Sequence, residues 1–526
     1  MKRTFVTIIL MSVLSASAMA AVQILPQPLE LKETGGKARI PSEVKIDSRK
    51  FESLADTYIN LTSGMLGTHG VTLTKGGLFS NVKLSISSRV EGKDAYELKV
   101  RGRRVSIKAA SEDGLWFGLQ TLTQVLLQGP QRNLTIKDVA RYGYRGAMLD
   151  CGRHFWTVDE VKAFIDMMAV HKLNVFHWHL TEDQGWRIEI KKYPRLTEVG
   201  SIRNGGYMAN YEVGAKADVY VDEPYGGFYT QDDVREIVKY ATDRHILVIP
   251  EIELPGHSVA ALASYPELGC TGGPYEVRKV WGISKDVLCV GKEGTLQFCL
   301  DVLDEVCDLF PGPYIHIGGD ETPRDRWKEC PDCQALMARE GLENEAQIQS
   351  WINNKVEEFV MSKGKNIIGW DEILEGGVTK TAVIMDWLGK EGGQKAAAAG
   401  NDVIMVNKHY CYFDCYQTED RSQELFAHGR VVPLAKIWTF NPEEGMDAEA
   451  CKHVLGIQCN TWTEHISELP RVYFMNLPRM AAISEIAWST TERCPYSDFL
   501  VRMENSIIPL YSAAGWPYAE FYKQDM

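Results

Sequence analysis

The chain has 526 residues, 45% hydrophobic and 24% charged, and its 57 Lys and Arg against 70 Asp and Glu leave a formal net charge of −13. That acidic balance argues against a nucleic-acid groove, which needs a basic face to neutralise phosphates. The length is too great for one small core and suits a large catalytic unit with a smaller companion. The 13 Trp exceed what a core needs, and aromatic faces pack well against the C–H faces of pyranose rings.

Residues 1–20 read as a secretory signal peptide. Lys2 and Arg3 precede an apolar run from Phe5 to Leu14, and Ala18-Met19-Ala20 is a small-residue cleavage site. The run is too short to span a bilayer and no later segment is long enough. The expectation is an exported chain, periplasmic or secreted, that begins near Ala21 and is not inserted in the membrane. Residues 21–140 predict a small α+β domain. Tyr96–Val100 and Arg104–Lys108 alternate as half-buried strands about Gly102, and Leu115, Leu119, Leu122, Val125 and Leu126 follow at helical spacing. No acids, His or Cys cluster there, so a packing role is expected.

Over residues 141–526 strands alternate with helices. Eight apolar runs are candidate strands: Gly146–Asp150, Asn174–Leu180, Ile246–Glu251, Tyr314–Gly318, Asn366–Trp370, Ala382–Trp387, Asp402–Asn407 and Val454–Cys459. Most are continuous, as parallel strands buried on both faces are. Thr157-Val158-Asp159-Glu160 is a capping box ahead of one helix, and Thr230-Gln231-Asp232-Asp233 starts another. Eight βα units predict an α/β fold, a (β/α)8 TIM barrel. An open doubly wound sheet is the runner-up, without the Gly-rich phosphate fingerprint it would carry. Among the 12 Cys, Cys330-Pro331-Asp332-Cys333 has metal-ligand spacing, with Cys411 and Cys415 as conceivable partners. No second matched pair or His ligands follow closely, which favours a local disulfide or free buried thiols over a metal.

In such a barrel the working residues end the strands. The first run ends at Asp150 with Arg153 beyond, and the second at His177-Trp178-His179, then Glu182-Asp183. The third reaches Glu251, Glu253 and His257, and the fourth Gly318-Gly319-Asp320-Glu321. Trp370-Asp371-Glu372 and Asp386-Trp387 end the fifth and sixth, with Tyr412 and Asp414 beyond the seventh and Trp462 and Glu464 beyond the eighth. Carboxylates and Trp converging on one rim suggest acid–base work on a sugar. Adjacent residues leaving a strand diverge, so Asp320 and Glu321 are poorly placed as the nucleophile and acid, ~5–5.5 Å apart, of most retaining glycosidases. His177 and His179 read as structural, on opposite faces of their strand. Asp371 and Glu372 read as candidate salt-bridge partners in the rim.

These blocks resemble the family 20 glycoside hydrolases, the β-N-acetylhexosaminidases. His316–Glu321 is similar to the family signature, and Asp150–Phe155, Phe176–Leu180, Pro250–His257, Gly369–Glu372 and Trp462–Glu464 follow the family order across residues 141 to about 490. The preceding region resembles the small domain that commonly precedes this barrel. The resemblance implies an exo-acting, retaining enzyme that removes terminal β-linked GlcNAc or GalNAc from glycans by substrate-assisted catalysis. The substrate's 2-acetamido oxygen attacks the anomeric carbon and forms an oxazolinium intermediate. It implies Glu321 as general acid and Asp320 as the carboxylate holding the acetamido N–H. A raised pKa suits the first role and a persistent charge the second. It further implies Arg153, Asp414 and Glu464 on sugar hydroxyls, Tyr412 on the acetamido oxygen, and Trp370, Trp387 and Trp462 as walls. His257 would support Glu321, oriented by an acid that is usually Asp in the family and here is Glu182, beside Asp183. The implied partner is a glycan ending in an N-acetylhexosamine, with neither cofactor nor metal. The alternatives are a disaccharide-releasing enzyme of the same family, shaped by the stretch from Asn204 to Phe228, or a catalytically retired carbohydrate-binding barrel.

Overall fold

The computed structural model describes residues 22–490 and 492–526. The predicted signal peptide lies outside the described residues. Seven strands form the first layer: β1 (Glu30–Lys37), β2 (Glu43–Asp47), β3 (Thr72–Gly76), β4 (Val82–Ile86), β5 (Tyr96–Arg101), β6 (Arg104–Ala109) and β7 (Arg132–Asp138), in the sheet order β1-β7-β5-β6-β4-β2-β3. The alternation in β5 and β6 buries Tyr96, Leu98, Val100, Val105 and Ile107. That face packs on α2 (Glu112–Gln128), against which α1 (Glu52–Gly67) packs in turn. Helix α2 starts where the Ser111 side chain accepts the Gly114 amide and stops at Gly129, in the left-handed region that glycine enters freely.

A closed parallel barrel follows, built from β8 (Tyr144–Asp150), β9 (Val175–His179), β10 (Leu247–Glu251), β11 (Tyr314–His316), β12 (Asn366–Trp370), β13 (Val383–Asp386), β14 (Val403–Met405) and β15 (Val454–Thr461). Strand β15 closes the ring on β8, with Thr461 opposite Leu149. All eight apolar runs supply barrel strands. The fourth is shorter than its run because Gly318 and Gly319, at φ +66° and +94°, turn the chain out of the sheet. Helix α3 (Val158–Val170) begins with the capping box read from the sequence, and α4 (Gln231–Thr242) starts at the expected Thr230 with the same reciprocal box. Further round the barrel lie α5 (Glu293–Leu309), α6 (Pro331–Glu340) and α7 (Glu345–Ser362). Buried Arg145 on β8 ties barrel to sheet domain through a 2.6 Å ion pair with Asp94. Among the described residues no helix is long and apolar enough to cross a membrane.

Candidate functional site

The C-terminal ends of the barrel strands carry a layered polar site. At its base Glu251, buried at the end of β10, accepts from Trp370 Nε1 at 2.7 Å and meets His316 Nδ1 at 2.9 Å and His177 Nε2 at 3.0 Å. His179 Nδ1 joins the same carboxylate. His177 and His179 therefore share one face of β9, contrary to the expectation, because residues two apart on a strand point the same way. Burial opposes ionisation of Glu251, yet the three imidazoles hold its pKa well below the usual carboxylate range. Its neighbour Glu253 has no such partner set. Burial and the charges of Asp320 and Glu251 push its pKa well above normal.

Above this base the chain is bent to present the acids. A Cβ on Gly318 would fall inside the Glu253 carboxylate, and one on Gly319 would strike Ile373 at 2.5 Å. Glu321 and His257 both adopt φ +44° without being glycine. Such conformations cost ~1–3 kcal/mol each and persist only where packing enforces them. The resulting arrangement centres on His257. Its Nδ1 lies 2.6 Å from Glu182 Oε1, while Nε2 lies 3.7 Å from Asp320 Oδ2 and 3.6 Å from Glu321 Oε2. Glu182 also binds Arg153 at 2.9 Å. Asp183 stands off at 3.9 Å from His257 and instead accepts from the Val259 amide and from Arg278, each at 3.1 Å.

The electrostatics follow from this geometry. Burial disfavours charge on His257, but Glu182 and then Glu321 outweigh it, and its pKa is raised well above normal. The His257 ring, 3.6 Å away, lowers the pKa of Glu321 against its partial burial. Asp320 is raised, chiefly by burial, with the charges of Glu251 and Glu321 adding to it. The directions are thus the reverse of those expected for a poised acid and a fixed anion, because the one imidazolium favours the more exposed carboxylate.

A cavity of about 380 Å³ opens over these groups, at the small end of the ~300–1,000 Å³ typical of ligand sites. Arg153, His257, Asp320, Glu321, Trp387, Tyr412, Asp414, Trp462 and Glu464 all line it. Trp370 does not: it lies one layer behind, its N–H on Glu251 and its ring 6.0 Å from that of Trp462. Trp387 stacks with Tyr412 at 12°, and Tyr412 lies 6.1 Å from Trp462, so three aromatics bound one side. Asp320 Oδ1, Asp414 Oδ1 and Trp462 Nε1 are buried without a hydrogen-bond partner among the described residues. Burying such atoms unpaired costs ~1–3 kcal/mol each, which a polar ligand offsets.

Among the described residues Glu372 and Asp371 do not form the expected salt bridges. Glu372 accepts from Trp387 Nε1 at 2.7 Å and is pushed up to about 8 by burial and Asp320. Asp371 faces Asp386, and burial and that second carboxyl raise it to about 7. Six further lining residues carry no signal in the sequence: Trp281, Gly282, Ile283, His428, Arg430 and His465. None belongs to a motif. The segment from Asn204 to Phe228 contributes a hairpin, Ile202–Met208 with Val219–Gly226, whose Asp218 accepts from Trp281 and contacts His465. A larger cleft of about 910 Å³ lies at the opposite rim, between sheet domain and barrel, lined by groups such as Asp113 and His245 that pair with each other at 2.6 Å. That end of a barrel serves stability rather than chemistry.

Comparison with known proteins gives a consistent picture. The family model for the glycosyl hydrolase family 20 catalytic domain matches residues 142–491, and that for glycosyl hydrolase family 20, domain 2, matches residues 21–140. A β-hexosaminidase of Porphyromonas gingivalis is 40% identical over 515 residues, 93% of this chain and 63% of that protein. The chain thus spans less than two thirds of that relative's length. A β-hexosaminidase of Vibrio furnissii is 34% identical over 90% of this chain and 77% of its own length. Among solved structures, a GH20 exo-β-N-acetylglucosaminidase from Vibrio harveyi in complex with N-acetylglucosamine superposes with a TM-score of 0.83 at 31% identity, covering 95% of this chain and 79% of that one. A β-N-acetylhexosaminidase from Bacteroides fragilis gives 0.79 at 28% identity, covering 96% and 98%.

Proposed function

The chain belongs to glycosyl hydrolase family 20, and from that premise and the pocket we propose that it is an exo-acting, retaining β-N-acetylhexosaminidase that removes terminal β-linked GlcNAc or GalNAc from glycans. The observation that carries the reading is the unequal setting of the two adjacent acids. Asp320 is buried beside Tyr412 with one oxygen unpartnered, whereas the Glu321 side chain is 35% exposed at the cavity surface, and one imidazole nitrogen serves both.

The chemistry is substrate-assisted. Glu321 donates its proton to the glycosidic oxygen and the bond from that oxygen to the anomeric carbon breaks. The acetamido oxygen, aimed by the Tyr412 hydroxyl, forms a new bond to the same carbon from the opposite face. Asp320 accepts the amide N–H and balances the positive charge of the oxazolinium ring. Glu321, now a carboxylate, takes a proton from water as the water oxygen attacks the anomeric carbon. The ring opens, the amide is restored and the β configuration is retained. The free-state proton affinity of Glu321 is depressed by His257, so sugar binding, which strips water from this carboxyl, is the step that raises it. Arg153, Glu464 and Asp414 hold hydroxyls, and Trp387 and Trp462 enclose the acetamido methyl and the ring. The leader-like first twenty residues support an exported enzyme, periplasmic or secreted; a mature chain beginning near Ala21 in extracytoplasmic fractions tests this, and full-length protein confined to the cytoplasm refutes it.

Hydrolysis of 4-nitrophenyl N-acetyl-β-glucosaminide beside the matching β-glucoside tests the activity. Turnover of the N-acetylated sugar alone is expected. Equal turnover of both would require a nucleophile from the protein and defeat the substrate-assisted reading.

A further inference from the structure

Four cysteines from separate stretches of chain meet outside the catalytic pocket. Cys330 immediately precedes α6 and Cys333 lies in its first turn, while Cys270 and Cys289 come from the long loop between β10 and α5. The partners of the Cys330–Cys333 pair are thus Cys270 and Cys289, not Cys411 and Cys415. All four sulfurs lie within 4.8 Å of one another. The pairs Cys289–Cys330, Cys289–Cys333 and Cys270–Cys333 stand at 3.5, 3.6 and 3.9 Å. Tetrahedral thiolates around zinc, with Zn–S bonds of ~2.3 Å, have edges of about 3.8 Å. Disulfide sulfurs instead pair off at ~2.05 Å, and a fourfold convergence has no use in that chemistry.

The setting is built for this approach. Cys289, Cys330 and Cys333 are buried and Cys270 is half-buried. A Cβ on Gly291 would collide with the backbone of Asp332 and Cys333, so glycine lets the Cys289 loop lie directly on the Cys330–Cys333 turn. The free amides and dipole of the α6 N-terminus favour thiolate there.

We propose that Cys270, Cys289, Cys330 and Cys333 bind one structural zinc ion, each thiol releasing its proton to solvent as the ion binds. Soft thiolates in a tetrahedral set select zinc over hard cations. The ion clips the loop that carries Trp281 and Ile283 over the pocket to the segment that follows Glu321. The same two segments touch where Trp327 Nε1 donates to the Leu288 carbonyl at 2.9 Å. The site is independent of the catalytic reading and supplies no catalytic group.

Metal analysis of the full chain, purified without chelators, tests the proposal. About one zinc per chain is expected, released to a metallochromic dye on titration with an organomercurial. Non-reducing peptide mapping is expected to find these four cysteines unlinked. Cys330→Ser/Cys333→Ser is expected to lose the zinc and Cys451→Ser to keep it. The wild-type measurements stand even if the double variant does not fold. A metal-free or iron-bearing wild-type chain, or disulfides among the four, would overturn the assignment.

Discussion

Glu182 Oε1 and His257 Nδ1, on two buried side chains, meet at 2.6 Å, and this contact turns the other imidazole nitrogen toward both Asp320 and Glu321. Glu182, just beyond the end of β9, reaches the imidazole and Arg153 at once. Burial raises the Glu182 pKa, but Arg153 and His257 together bring it well below the usual range. The contact is therefore a charge pair that sets the proton affinity of Glu321.

Glu182→Gln removes the anion that keeps His257 protonated. The imidazole pKa falls, it no longer lowers Glu321, and because Glu321 must carry its proton the alkaline limb of the kcat/KM profile moves to higher pH. Leaving one partner of a buried ion pair uncompensated also costs ~3–5 kcal/mol, so a lower Tm accompanies the shift. Glu182→Asp keeps the charge and is expected to restore part of the profile. An alkaline limb unmoved in Glu182→Gln, measured on folded protein, would remove Glu182 from this role.

Glu321→Gln is expected to slow hydrolysis by ~10²–10⁴-fold on substrates with poor leaving groups, the range of general acid catalysis. Activated aryl glycosides leave without protonation, so their first step is spared. The contrast between an alkyl and a dinitrophenyl glycoside reads this directly, alongside an inhibitor Kd to show intact binding. Equal losses on both would place Glu321 outside proton delivery.

The barrel is legible in the sequence because its strands are buried on both faces and read as continuous apolar runs. The acids are legible for a related reason: Asp320 and Glu321 interrupt such a run at its C-terminal end after two glycines. What escapes is whatever depends on the approach of distant segments. Trp281 comes from a loop and Arg430 from a four-residue strand, His428–Val431, both too short or irregular to show a period, and Cys270 reaches Cys333 across 63 residues. The family resemblance implies Trp370, the last residue of β12, as a pocket wall, but its indole N–H is taken by Glu251 from β10, a partner no local pattern announces. The pairing of His177 with His179 was within reach, since strand periodicity alone puts both on one face.

Asp371 and Asp386 predict an unusual pH dependence of stability. Burial, and for Asp371 the facing carboxyl, raises them to about 7 and about 6, against an ordinary value of 3.8. The folded state then keeps protons that the unfolded chain has released, so their contribution declines as pH rises from about 4 through 7. Asp371→Asn removes one titrating group while an amide oxygen still accepts from the Trp387 amide. Its Tm is expected to exceed that of wild type at pH 8 and to match or fall below it at pH 5. A pH-independent difference between the two proteins would show that the carboxyls do not share this strain.

Asp320→Asn tests the other half of the pair. If the carboxylate balances the charge on the oxazolinium ring, its loss costs ~3–4 kcal/mol of transition-state stabilisation, about a 10²–10³-fold fall in kcat. The same logic applies to the substrate. Fluorination of the acetamido methyl withdraws electrons from the amide oxygen and weakens its attack, so each added fluorine is expected to slow wild-type turnover. In Asp320→Asn the attack is already poorly supported, and the slope of rate against fluorine number is expected to change. A wild-type rate indifferent to fluorination would mean that the amide oxygen is not the nucleophile, whatever the substitution at Asp320 does.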